Sequence, residues 1–173
     1  MRFDRLTSPD DPRFAHAMAL YRASFPFHEQ REDAPQAAIL AKEDYHFRLI
    51  YDEDLFVGLL LCWDTPQFIY VEHFCIEPAL RSQGYGRQAL DLLCRPGVPV
   101  ILEIDPPVDD VSIRRQRFYE HAGFHGNAFP HVHPAYHEGI PGHSLVVMSA
   151  PRPLTSDEYH AFLRYLRDTV MSR

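Results

Sequence analysis

The chain has 173 residues, 46% hydrophobic and 13% aromatic, which fits one domain over 1–173 with a substantial core. Its 24 acidic residues against 17 Lys and Arg give a net charge of −7, which argues against nucleic acid as the main partner, because phosphate binding relies on clustered basic side chains. No apolar run approaches the roughly eighteen residues of a membrane span, and the start Met1, Arg2, Phe3, Asp4 lacks the apolar segment of a signal peptide, so no membrane partner and a cytoplasmic location are expected.

Residues 1 to 7 read as an opening strand. Asp11 offers an N-cap with Pro12 at the first helical position, and Phe14, Ala17, Met18, Tyr21 and Phe25 then recur at helical spacing. A polar stretch from His28 to Asp33 leads to a shorter helix near Pro35 to Glu43. Strands follow near Tyr45 to Tyr51 and Leu55 to Trp63, joined by a hairpin turn at Asp52 to Asp54. Cys62, Cys75 and Cys94 are odd in number, and two lie in apolar runs, so reduced thiols are expected.

The strand from Gln67 to Ile76 runs into Arg81, Ser82, Gln83, Gly84, Tyr85, Gly86, and a helix with Tyr85, Ala89, Leu92 and Leu93 on one face leaves it. Glycines here let the backbone come close to a ligand, and the following helix aims free N–H groups and its positive dipole end at an anion. Arg81 and Arg87 flank the turn with positive charge. By itself the pattern also describes an ordinary tight turn before a helix. A strand over Val98 to Ile104 completes a strand–helix–strand unit, which requires a parallel pair with a right-handed crossover.

Pro106, Pro107, Asp109 and Asp110 make a rigid turn before a helix from about Val111 to Ala122, closed by Gly123 as a left-handed cap. A His- and Pro-rich loop, Gly126 to Gly142, precedes a strand at Ser144 to Ser149. Thr155 and Glu158 form a capping box, Leu154 can staple onto Tyr159, and Tyr159, Phe162, Leu163, Leu166 and Val170 stripe a terminal helix. That stripe must dock either on the sheet or on a second subunit, which makes a homodimer an expectation.

The segment Phe74 to Leu80 with the loop Arg81 to Gly86 resembles motif A of the GNAT superfamily, the N-acetyltransferases that use acetyl-coenzyme A. Arg117, Phe118, Tyr119, Glu120, His121, Ala122, Gly123, Phe124 is similar to the motif B of that superfamily, a helix carrying a Tyr and ending at Gly-Phe. The resemblance implies an α/β fold of the α+β type: a mixed, mostly antiparallel sheet with one splayed parallel strand pair, flanked by helices. It implies transfer of an acetyl group from acetyl-coenzyme A to a primary amine, a small molecule or a peptide, by direct attack. Main-chain groups of Phe74, Cys75 and Ile76 are then expected along the pantetheine arm. Amides from Ser82 through Gln83, Gly84, Tyr85, Gly86 and Arg87 are expected at the pyrophosphate, as the helix-dipole argument also favours. Tyr85 itself is expected to point into the core.

Tyr119 matches the motif B tyrosine that serves the superfamily as general acid; a phenol can protonate a thiolate and stay neutral at physiological pH. A core pair with Phe118 is the alternative. For the base, Glu72 and Glu103 each interrupt an apolar run, which is costly unless the carboxylate is paired or used. Alternation places Glu72 on the face of Phe74 and Ile76. Glu103 has the stronger match to a base position in the family, but either could be a satisfied internal acceptor, and His73 could pair with Glu72. The asparagine often found before the motif B helix is absent, with Ser112 near its place, and the resemblance places Phe25 to Arg31 and His131 to Glu138 beside the amine.

Eleven histidines, six within His121 to His143, raise a metal reading, but their spacing matches no common zinc pattern and no metal is expected. Two other readings remain beside the enzyme: a non-catalytic coenzyme A sensor and a His-rich metal-binding interaction module.

Overall fold

A seven-stranded sheet in the order β1-β2-β3-β4-β5-β9-β6 organises the computed structural model, which describes residues 1–172. Strands β1 (Arg2–Leu6), β2 (Tyr45–Asp52), β3 (Leu55–Asp64) and β4 (Ile69–Ile76) pair antiparallel in succession. Strand β5 (Val100–Ile104) lies parallel to β4, and β9 (Val146–Ala150) returns antiparallel to β5 with the short β6 (His125–Gly126) outside it. Within the late loop, β7 (Val132–His133) and β8 (His143–Ser144) make a separate hairpin. The expected mixed sheet with one parallel pair is therefore present. Strand β3 shows why it is central: its apolar run is buried on both faces, as a covered strand requires.

Helices α1 (Phe14–Ser24), α2 (Asp33–Ile39) and α5 (Ser156–Tyr165) cover one face, where Tyr21, Ile39, Tyr159 and Phe162 pack on Phe47, Leu61, Trp63 and Tyr70. Helices α3 (Tyr85–Leu93) and α4 (Asp110–His121) cover the other, where Leu90, Leu93, Tyr119 and Phe124 meet Leu60, Val71 and Leu102. The terminal helix thus docks on its own sheet, which removes the reason for expecting a second subunit. Its capping box forms, with Thr155 Oγ1 accepting from the Glu158 amide and Glu158 Oε2 from the Thr155 amide. A π-helical turn, Leu166–Val170, extends it.

Three local expectations are corrected. Helix α1 starts at Phe14 with Arg13 rather than Asp11 at its N-cap, because the Asp11 carboxylate is taken by the backbone and guanidinium of Arg13. Leu92 is 48% exposed, and the buried stripe of α3 runs instead through Ala89, Leu90 and Leu93. The third concerns β4. Leu61 opposes His73, yet Cys62 opposes Val71, so Glu72 is the extra residue of a β-bulge. Alternation therefore breaks, and Glu72 lies on the face of Tyr70, His73 and Cys75, away from Phe74 and Ile76.

The same point ends the parallel pairing. Strands β4 and β5 are in register only over Ile69–Val71 against Val100–Leu102, and from Glu72 and Glu103 onward they diverge. A bulge bends its strand and increases the local twist, which accounts for the divergence beginning at Glu72.

Candidate active site

A cavity of about 840 Å³ occupies the opening between the two strands. It is lined by the turn at Ser82, Gly84, Gly86 and Arg87, by Phe74, Cys75 and Ile76, and by Glu72, Glu103, Tyr119 and His133. Gln83 and Tyr85 do not line it: Gln83 Nε2 donates to the Ala79 carbonyl at 3.0 Å, and Tyr85 packs on the core beneath α3.

The turn has the geometry of an anion cradle. Gly84 sits at the N-cap of α3 with φ of 87°, a left-handed conformation that suits glycine, and Ser82 has φ of 63°. The first intrahelical bond is the Gln88 amide to the Gly84 carbonyl at 3.1 Å, so the amides preceding it have no partner within the helix. Gly86 is constrained differently, since a Cβ there would lie 3.1 Å from the Phe118 ring on α4. Arg81 donates to the Ile76 carbonyl at 3.1 Å, and Arg87 is held by Asp91 at 2.9 Å and by the His121 carbonyl. An amide row at a helix start, opening into a long cavity, fits a diphosphate with an extended arm, as coenzyme A presents.

Tyr119 projects from α4 between Phe118 and Phe124, with ring centroids 5.1 and 5.7 Å away. Burial pushes its phenol up to about 12, so it stays a neutral donor at any physiological pH. Ser112 does not face the site as a free group: with Asp109 it forms the capping box of α4.

Glu72 is saturated. Its Oε1 accepts from Arg31 and from the Tyr136 hydroxyl, both at 2.7 Å, and its Oε2 from Trp63 Nε1 at 2.7 Å. Burial is the largest single influence and would raise this carboxyl, but the Arg31 charge, the neighbouring His73 and the hydroxyl and indole donors together outweigh it and bring it down to about 2. A carboxylate so held is a poor proton acceptor. It fastens the two segments expected beside the amine, with the Arg31 guanidinium also 5.5 Å over the Tyr136 ring. His73 does not pair with it; His73 Nε2 donates to the Glu29 carbonyl at 2.8 Å.

Glu103 has a different set of partners. Tyr70 donates to its Oε2 at 2.5 Å, and His131 Nε2 to its Oε1, with His131 Nδ1 lying 3.0 Å from the Tyr159 hydroxyl. Burial opposes its charge, yet the His131 hydrogen bond leads the interactions that hold its carboxyl below the ordinary range. Beside it stands a residue that the sequence placed in the segment expected beside the amine but gave no catalytic part. His133 Nδ1 lies 2.6 Å from the Pro134 carbonyl, which can only accept, so the neutral ring carries its proton there and leaves the Nε2 lone pair open, 4.0 Å from Glu103 Oε2. His133 lies on β7 two residues after His131, a spacing that places both beside Glu103 but is masked by the Pro-rich sequence around it.

A family profile described as the acetyltransferase (GNAT) family matches residues 14–124. Among solved structures, a protein from Bacteroides thetaiotaomicron described as an acetyltransferase of the GNAT family is 31% identical, covers 100% of both chains and superposes with a TM-score of 0.91. More distant structures share the fold. The ribosomal-protein-S18-alanine N-acetyltransferase from Escherichia coli is 18% identical over 90% of this chain and 96% of its own, with a TM-score of 0.56. An aminoglycoside 6'-N-acetyltransferase complexed with coenzyme A is 15% identical over 89% of this chain and 100% of its own, with a TM-score of 0.60. No curated protein is significantly similar in sequence.

Proposed function

Because the chain belongs to the GNAT family of acetyltransferases and takes acetyl-coenzyme A as its co-substrate, we propose that it acetylates a primary amine entering the cavity from the side of His28, His133 and Tyr136. The observation that carries this reading is the single cavity joining the amide row at Gly84 to the polar groups around Glu103 and Tyr119.

The amine must arrive without its proton to attack the thioester carbon. His133 Nε2, fixed in its tautomer by Pro134, takes that proton directly or through water, and the Glu103 carboxylate stabilises the imidazolium that results. Among the two glutamates first considered as bases, Glu103 keeps a part as the neighbour of His133, and Glu72 becomes structural. As the C–N bond forms and the C–S bond breaks, Tyr119 donates its hydrogen to the departing sulfur. Burial makes the phenol a weaker acid, but the same dry surroundings destabilise the thiolate that accepts its hydrogen, and solvent returns a proton to the phenolate once the thiol leaves. Main-chain groups of Phe74, Cys75 and Ile76, free of β5, lie along the path of the arm.

Glu29 and Asp105 at the rim favour a cationic acceptor. We place the reaction in the cytoplasm; no helix among the described residues is long and apolar enough to cross a membrane. Screening polyamines, aminoglycosides, amino acids and peptide N-termini for acceptor-dependent thiol release from acetyl-coenzyme A tests the proposal. Release by a positive acceptor with acetylation of its nitrogen supports it; coenzyme A binding with no release across every class counts against it.

A further inference from the structure

We propose that His28, Glu29 and His143 form a binding site for a divalent ion of the zinc type at the mouth of the cavity. Each offers one ligand atom, and all three atoms lie within 4.8 Å of one another. His28 Nε2 and Glu29 Oε1 are 3.6 Å apart, too far for a hydrogen bond but close to the roughly 3.3–3.5 Å edge of a tetrahedron built on metal–ligand bonds of about 2.0–2.1 Å. The His28 and His143 rings are 5.6 Å apart, near the roughly 5 Å at which two imidazoles share such an ion.

The ligands come from two anchored pieces of backbone. His28 and Glu29 lie in the helical turn Phe27–Glu29, where the Phe27 carbonyl accepts from His137 Nε2 at 2.9 Å and the Glu29 carbonyl from His73 Nε2 at 2.8 Å. His143 lies on β8 and pairs in register with His133 on β7. The side chains are 46%, 33% and 37% exposed, open enough for an ion to enter. The surrounding charge favours a cation: Glu29 is held above its ordinary range by burial and then by Asp105, and Asp105 Oδ1 lies 3.4 Å from His143 Nε2. The nearby Arg115 is already bound by Asp105 at 2.6 Å.

Two imidazoles and one carboxylate make a donor set that suits zinc or cobalt better than calcium or magnesium, and a fourth position is left for water. An ion here would tie the turn after α1 to the hairpin that carries His133.

Zinc chloride titrated into the whole chain at neutral pH, with and without coenzyme A, should give about one equivalent of binding and raise the melting temperature by several degrees. His28→Ala, His143→Ala and Glu29→Gln should each weaken zinc binding at least tenfold and abolish the thermal shift, while His160→Ala on the exposed side of α5 should match the wild type. Coenzyme A affinity retained in the same variants shows that they fold, and Glu29→Gln serves where a histidine variant does not. A wild type that takes up no zinc, or variants whose titrations superimpose on it, would overturn the site. Coenzyme A binding is read separately, so failure of the zinc site leaves the acetyltransferase reading untouched.

Discussion

The Tyr136 hydroxyl donates to Glu72 Oε1 at 2.7 Å, and Arg31 reaches the same oxygen at the same distance, so one buried carboxylate joins the segment between α1 and α2 to the loop between β7 and β8. Removing its charge leaves Arg31 buried without a counter-ion. Glu72→Gln is expected to cost about 3–5 kcal/mol, lowering the melting temperature by roughly 6 °C or more. The acid response follows the same pair. The carboxyl titrates at 4.5 when free and at about 2 when folded, so its contribution is complete above 4.5 and drains away as pH falls toward 2. Thermal melts across that window should fall steeply for the wild type and more shallowly for Glu72→Gln.

Gly84→Glu places a side chain where φ is 87° and a negative charge at the helix start. Calorimetry should show coenzyme A affinity reduced by at least about 100-fold with the fold retained. Micromolar binding by this variant would contradict the cradle.

Tyr119→Phe removes only the hydroxyl. Turnover with an identified acceptor is expected to fall about 10²-fold or more, with coenzyme A affinity unchanged within about twofold. Equal turnover in the two proteins would take Tyr119 out of the mechanism.

His133→Gln should lower turnover by about 10²–10⁴-fold and flatten the acidic limb of the pH profile, because the base that must lose its proton is gone. Glu103→Gln should lower turnover less and keep that limb. An unchanged profile in His133→Gln would return the role of base to Glu103 or to water.

Gly58→Ala tests the close approach of β3 to β4. A Cβ at this position would stand 2.2 Å from the Cys75 carbonyl oxygen, which cannot swing aside. A loss of about 1–3 kcal/mol by chemical denaturation is expected, and a neutral effect would show that the strands can part there.

The sequence made much of this legible where the signal is local. The Gly84 turn, the Thr155 cap and Tyr119 on its helix each follow from residues a few positions apart. The side of the sheet on which Glu72 lies did not follow, because alternation counts residues evenly and a bulge adds one without any mark in composition. Arg31, Glu72 and Tyr136 meet only through the folded chain, and the open Nε2 of His133 depends on a bond to the next residue's carbonyl that no spacing announces.

A single surplus residue in β4 has two effects at once. Losing the one residue between Val71 and His73 would restore an even pleat, remove the cause of the divergence of β4 from β5, and take the Glu72 carboxylate away altogether. The opening between the strands and the clasp between Arg31 and Tyr136 share this origin, so one codon lost there would narrow the first and unfasten the second.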